Sequence, residues 1–189
     1  MRLRTLGWLF LACVAVALLA PFFSFQTDRG NRASEAQVAI SMIRLGLEAY
    51  QLEYGKWPDF TGDGLFLDEK RQAQLMRVLQ GKDEANNPRK IVFFEGKTAT
   101  QNPSARGQYR GGFSPATGAY LDLQGNPYRI IIDADSDGQI DGPYFDDPQN
   151  KGILVSVIAW SLGKDGKQGS PANPRTARGS DDVTNWQSK

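Results

Sequence analysis

Histidine is missing from all 189 residues. Its absence removes the commonest general base, the Ser-His and Cys-His nucleophile pairs, and most catalytic zinc sites. Cysteine occurs once, at Cys13, within the most apolar stretch of the chain, so no internal disulfide or thiolate cluster is possible. An excess of one charge is lacking too. Lys plus Arg number 22 against 21 for Asp plus Glu, a net +1, which creates no field favouring nucleic acid, anionic lipid or an acidic substrate. There is no Gly-x-Ser-x-Gly elbow. Gly96-Lys97-Thr98 ends like a phosphate-binding loop, but Ile91 stands where the first glycine of that loop belongs. The small cluster of Arg106, Tyr109 and Arg110 reads as a solvated loop. Neither a nucleic acid nor a small-molecule substrate is expected, and an enzyme is not the expected class.

What is present begins with an apolar run. Leu6 to Phe25 carries no charge behind Arg2 and Arg4 and has about the twenty residues that a bilayer-crossing helix needs. A cleaved secretory signal is the competing reading, with its apolar core over Leu6 to Leu19. Cleavage after Ala20 would then leave Pro21 next to the cut, without a clean Ala-x-Ala site. A lipoprotein signal at Cys13 fits less well, because the apolar run continues past it. Arg29 and Arg32 nearly balance Arg2 and Arg4, so the free amino terminus tips the orientation towards N-inside, with the remainder extracytoplasmic. The division expected is an anchor or signal segment over 1–25, an amphipathic helix over 26–55, and a globular region over 56–189.

The helix follows from periodicity. Ala36, Ile40, Ile43, Leu47, Tyr50 and Tyr54 recur every three or four residues, Ser34 and Gln37 have capping-box spacing, and Gly55 with Trp57-Pro58 ends the pattern. A shorter helix is expected from Asp68 to Leu79, ended by Gly81. Lys90 to Glu95, Tyr128 to Asp133 and Ile153 to Trp160 are rich in β-branched and aromatic residues and predict three strands. The last is apolar on both faces and is expected to lie centrally, with one face against the long helix. Thr98 to Gly118 and Gly163 to Arg178 are polar and glycine-rich and read as long loops, which a compact domain must tether.

The tether is sought among the acidic residues. Asp133, Asp135, Asp137, Gln139 and Asp141 occupy positions one, three, five, seven and nine of a calcium-loop pattern, with Gly138 at six to relieve the sharp turn. Calcium takes about six to eight oxygens at one centre, and an alternating loop can aim side chains at it. Tyr144 stands at position twelve in place of a bidentate glutamate, and Asp146 and Asp147 follow. A solvated acidic turn is the competing reading. A hydrolase using a metal in this loop is a third, although so many acids within a few residues look more like cation ligands than a separated acid and base.

A second acidic constellation joins Ser161-Leu162-Gly163-Lys164-Asp165-Gly166 to Ser180-Asp181-Asp182-Val183-Thr184-Asn185-Trp186. Together with Tyr50 to Pro58 (YQLEYGKWP) and Asp122 to Tyr128 (DLQGNPY), in the same order along the chain, this resembles the major pseudopilins of type II secretion systems. The four motifs span most of Ala33 to Trp186, with an extra stretch near Gly81 to Gly118. The resemblance implies a pilin-like α+β fold, a long N-terminal helix packed on a small antiparallel sheet with calcium-bound loops. It implies calcium ligands at Asp165, Asp181 and Asp182, with the Leu162 carbonyl and Ser180. It further implies a protein-transport subunit anchored in the bacterial inner membrane, with other pseudopilin subunits or secretion-machine components as partners.

The front of the chain departs from that pattern. With Gly7-Trp8 taken as the leader cut, Ala12 stands where the family has a glutamate, and Pro21 falls early for the usual helix kink. The alternative expectation is therefore an extracytoplasmic calcium-binding recognition module that does not assemble.

Overall fold

The computed structural model describes residues 33–59, 68–104, 106–140, 153–169 and 180–184. The expected anchor, 1–25, lies outside them. Among the described residues no helix is long and apolar enough to cross a membrane.

Helix α1 runs through residues 33–54. Ala36, Ala39, Ile40, Ile43, Leu47 and Tyr50 form its buried stripe, the side that the three-and-four spacing marks out. Gly55, in a left-handed conformation, ends it by donating its N–H to the Gln51 carbonyl at 2.8 Å. Helix α2 spans Glu69–Leu79, and the carboxylate of Asp68 caps it by accepting the Arg71 N–H at 2.8 Å. Its inner face carries Leu75, Met76, Val78 and Leu79, all fully buried.

Seven short strands follow: β1 (Thr100–Gln101), β2 (Tyr109–Arg110), β3 (Gly112–Phe113), β4 (Tyr120–Leu121), β5 (Arg129–Ile132), β6 (Val157–Ser161) and β7 (Val183–Thr184). They make antiparallel pairs β1-β2 and β3-β4 and a three-stranded antiparallel sheet in the order β5-β6-β7. The fold class is α+β, with small antiparallel sheets. Strand β6 is central and buried throughout, as its apolar run predicts. Val157 and Ala159 join Ile130 and Ile132 in the core that includes α1 and α2, while Ile158 and Trp160 pack with Ile131, Ile140 and Leu162 on the other face. The Gln37 side chain donates to the Thr184 carbonyl at 2.8 Å, tying α1 to β7.

Three expectations are corrected. Lys90 to Glu95 forms no strand. The N–H groups of Phe93 and Phe94 both donate to the Leu79 carbonyl, and Ile91 is bonded at both backbone groups to the Asn87 side chain. The aromatic residues of this run serve packing instead: Phe93 lies edge-on to Tyr50 and Tyr54, and Phe94 edge-on to Phe113 and Tyr120. Strand propensity measures fit to a half-buried surface, and here helix ends supply that surface. The run from Ile153 enters the sheet only at Val157, because Ile153 pairs with Ile140 and Leu154 points outward. Within Thr98 to Gly118, read as loop, lie β1, β2 and β3, each too short to show alternation.

Asn87 holds the non-ladder region together. Its wholly buried amide donates to the carbonyls of Val78 (2.8 Å) and Ile91 (2.7 Å), and its oxygen accepts from Ile91 N–H and the Tyr54 hydroxyl. Asn87→Ala strands all four partners and is expected to lower stability by about 2–4 kcal/mol. Urea unfolding checks this, and a loss smaller than about 1 kcal/mol contradicts it.

Candidate metal centre

The first acidic loop leaves the end of β5 and is clamped at both ends. At its entry the Asp133 N–H donates to the Ser156 carbonyl at 3.0 Å, and the Trp57 indole N–H donates to the Asp133 carbonyl. At its exit Ile140 and Ile153 exchange two backbone bonds of 3.0 Å. Between the clamps, Ser136 and Gly138 both take positive φ, 59° and 83°, and the backbone winds back over the Asp133 carboxylate. Asp133 as a residue is 3% exposed, and its carboxylate accepts the N–H groups of Asp137 (3.2 Å) and Gly138 (2.9 Å). Asp135 accepts from Asp137 N–H, and Asp137 from Gln139 N–H.

This winding brings one oxygen from each of Asp133, Asp135 and Asp137 within 4.8 Å of one another, so the three can hold a metal ion. Among the described residues no other group of three acidic side chains is gathered this closely. One member is buried and two are exposed, which leaves a cation open to solvent on the outer side. Burial pushes the Asp133 carboxyl above the ordinary carboxylate range, the Gly138 amide pulls it back, and the neighbouring Asp135 and Asp137 add to the upward push. Gln139 is exposed at the end of the loop, and Asp141 lies outside the described residues.

The second constellation is assembled differently. Leu162 is buried at the end of β6, and Gly163 turns the chain with φ 60°. A Cβ at Gly163 would sit 2.4 Å from the Asp181 carbonyl oxygen, so a side chain is excluded by contact as well as by conformation. The Asp181 carboxylate accepts the N–H groups of Lys164 (2.6 Å) and Asp165 (3.3 Å). Asp165 accepts from Lys167 N–H, Asp182 from Gly169 N–H, and Ser180 Oγ from Asp182 N–H. The residues of this set therefore meet at one turn, yet Asp165, Asp181 and Asp182 do not converge their oxygens as the first trio does. Backbone amides take up the carboxylates.

Sequence reading missed the buried latch beneath this turn. Asp122 accepts the N–H groups of Gln124 and Asn126, both at 2.8 Å, together with the Asn126 side chain and, at 2.6 Å, the Ser161 hydroxyl. Asn126 also donates to the Gly163 carbonyl at 2.7 Å. Asp122, Asn126 and Ser161 are each 3% exposed. Ser161 and Lys164 have the spacing of a serine nucleophile and its lysine base, but the hydroxyl is buried and committed to Asp122. The signal was an Asp four residues before an Asn in a Gly turn, with a Ser at a strand end.

The chain matches no protein family, no curated protein and no solved structure.

The raised Asp133 fixes a sign. A carboxyl whose folded value lies above its unfolded value contributes fully at pH below the unfolded value, and loses that contribution as pH rises through the folded one. In chelator, wild type is expected to lose stability relative to Asp133→Asn as pH rises above the ordinary carboxylate range. Urea unfolding at a series of pH values rising from that range measures it, and a relative stability that climbs with pH contradicts it.

Proposed function

We propose that the chain is a calcium-stabilised, membrane-anchored structural subunit of pilin-like type, a relative of the type II secretion pseudopilins, with its globular region outside the inner membrane. Its work is mechanical and not catalytic. The observation that carries this reading is the meeting at Ser161 of the Asp122–Asn126 turn and the Gly163–Asp181 turn, beside a central strand whose other end packs under α1. These are the motifs on which the resemblance rests. Supporting it are the order of elements, a long helix before a small antiparallel sheet, and the uncharged run of Leu6 to Phe25 ahead of that helix.

Calcium is favoured over softer metals because every donor is oxygen and histidine is absent. Asp133, Asp135 and Asp137 would hold one ion, completed by Gln139 and Asp141. The constellation of Leu162, Asp165, Ser180, Asp181 and Asp182 would hold an ion if its carboxylates turned their oxygens towards one centre, beside the Leu162 carbonyl and the Ser180 hydroxyl. A bound ion removes carboxylate repulsion and contributes its binding energy to folding.

A non-assembling recognition module is the second reading, favoured by Ala12 at the place of the leader glutamate. N-terminal sequencing separates the two: a mature chain starting at Trp8 supports assembly, and an intact or signal-peptidase end supports the module.

Calcium at about a hundredfold its dissociation constant is expected to stabilise the wild type by about 2.7 kcal/mol over chelator. Asp137→Ala should lose most of that increment while keeping its chelator midpoint. Equal midpoints for wild type with calcium and with chelator would sink the calcium reading.

A further inference from the structure

Lys90 to Glu95 is rich in strand-forming residues and has no ladder. Leu79 and Asn87 take up some of its amides, but among the described residues no hydrogen bond engages the N–H or C=O of Val92, Glu95 or Gly96. Val92 is 51% exposed, an apolar β-branched side chain standing in water. Gly96 is exposed too, and a Cβ on it would strike the Tyr120 ring at 2.8 Å, so its backbone rests against the aromatic cluster with no side chain to shield it. Beside this segment lies a hollow of about 540 Å³, lined by Gln80, Lys82, Val92, Phe94, Glu95 and Gly96. We propose that this wall takes an extended polypeptide segment of a partner protein, laid along residues 92–96, with an apolar side chain in the hollow between a basic and an acidic one.

The occupant follows from backbone, charge and enclosure. Open main-chain groups on an extended wall are what strand addition uses, with alternate side chains read by the hollows they enter. Lys82 holds its ammonium to Gln80 Oε1 at 3.0 Å, and Glu95 has no charged partner among the described residues, so the hollow offers one cation and one anion over a floor of Val92 and Phe94. A peptide with an apolar residue between a carboxylate and a basic group complements both, whereas a polyanion meets Glu95 and a polycation meets Lys82. Four of the six lining residues, Lys82, Val92, Glu95 and Gly96, are exposed. That leaves too few walls for the burial a small ligand needs, while a chain lying along the surface needs fewer. The segment falls within the stretch near Gly81 to Gly118 that exceeds the pseudopilin pattern, so this binding is independent of the calcium-stabilised, membrane-anchored reading.

The test pans a displayed library of short random peptides against the full chain in detergent micelles. Enriched peptides should carry an apolar residue with one basic and one acidic neighbour. With such a peptide bound, amide exchange at Val92, Glu95 and Gly96 should slow by about tenfold, which side-chain contact alone does not produce. Val92→Glu should weaken binding about tenfold, and Glu95→Lys should do the same until the basic residue of the peptide is replaced by glutamate. Both positions are exposed, and unchanged urea midpoints assign the loss to binding. No enrichment, enriched peptides that bind wild type and both variants equally, or exchange that does not slow in this segment overturns the proposal. Free leucine that saturates the hollow and displaces the peptide overturns the polypeptide occupant. So does protection of the segment that rises with chain concentration in the absence of peptide, the mark of a second copy.

Discussion

The burial of β6 is the constraint on which the described fold depends. A strand with no polar face must be covered on both sides, and its two neighbours must satisfy its backbone. One side takes α1 and α2 into a single core, and the other takes Ile131, Ile140 and Leu162. Both acidic constellations are then set by where the strands of this sheet end. Asp133 begins where β5 stops, and Leu162 where β6 stops. The sheet decides where oxygens can gather.

Regular structure is scarce elsewhere, and single polar side chains replace it. Asn87 serves Ile91 as a neighbouring strand would, meeting its N–H and its carbonyl together. Asp122 gathers four donors and has no ion-pair partner among the described residues, which suits a buried carboxylate better than solitude does. Asp181 holds the turn after β6 through two backbone amides. Asn87 and Asp122 each make four hydrogen bonds, so these loops are specified by geometry more than by apolar area.

Much of this was legible in sequence where a period was long enough to read. The stripe of α1, the extent of α2 to within a residue and the central position of β6 all follow from pattern over several residues. The gathering of Asp133, Asp135 and Asp137 was legible as well, because alternate residues in a wound loop are aimed at one point. Two-residue strands carry no period, so β1 to β4 were invisible. Lys90 to Glu95 misled because its apolar residues answer to aromatic neighbours and its amides to the end of α2. The Asp122 latch depends on Ser161, 39 residues away, and no local pattern announces that pairing. The amide clamp on Asp181 likewise depends on a fold already made.

The indole of Trp57 belongs to the segment that leaves α1, yet its N–H grips the carbonyl of the first acidic residue of the loop. One aromatic side chain thus pins together the far end of the long helix and the rim of the candidate cation site. Without that indole the carbonyl at the entry of the loop would lose its tie to the segment after α1, so the rim of the acidic loop owes part of its placement to a residue 76 positions earlier in the chain.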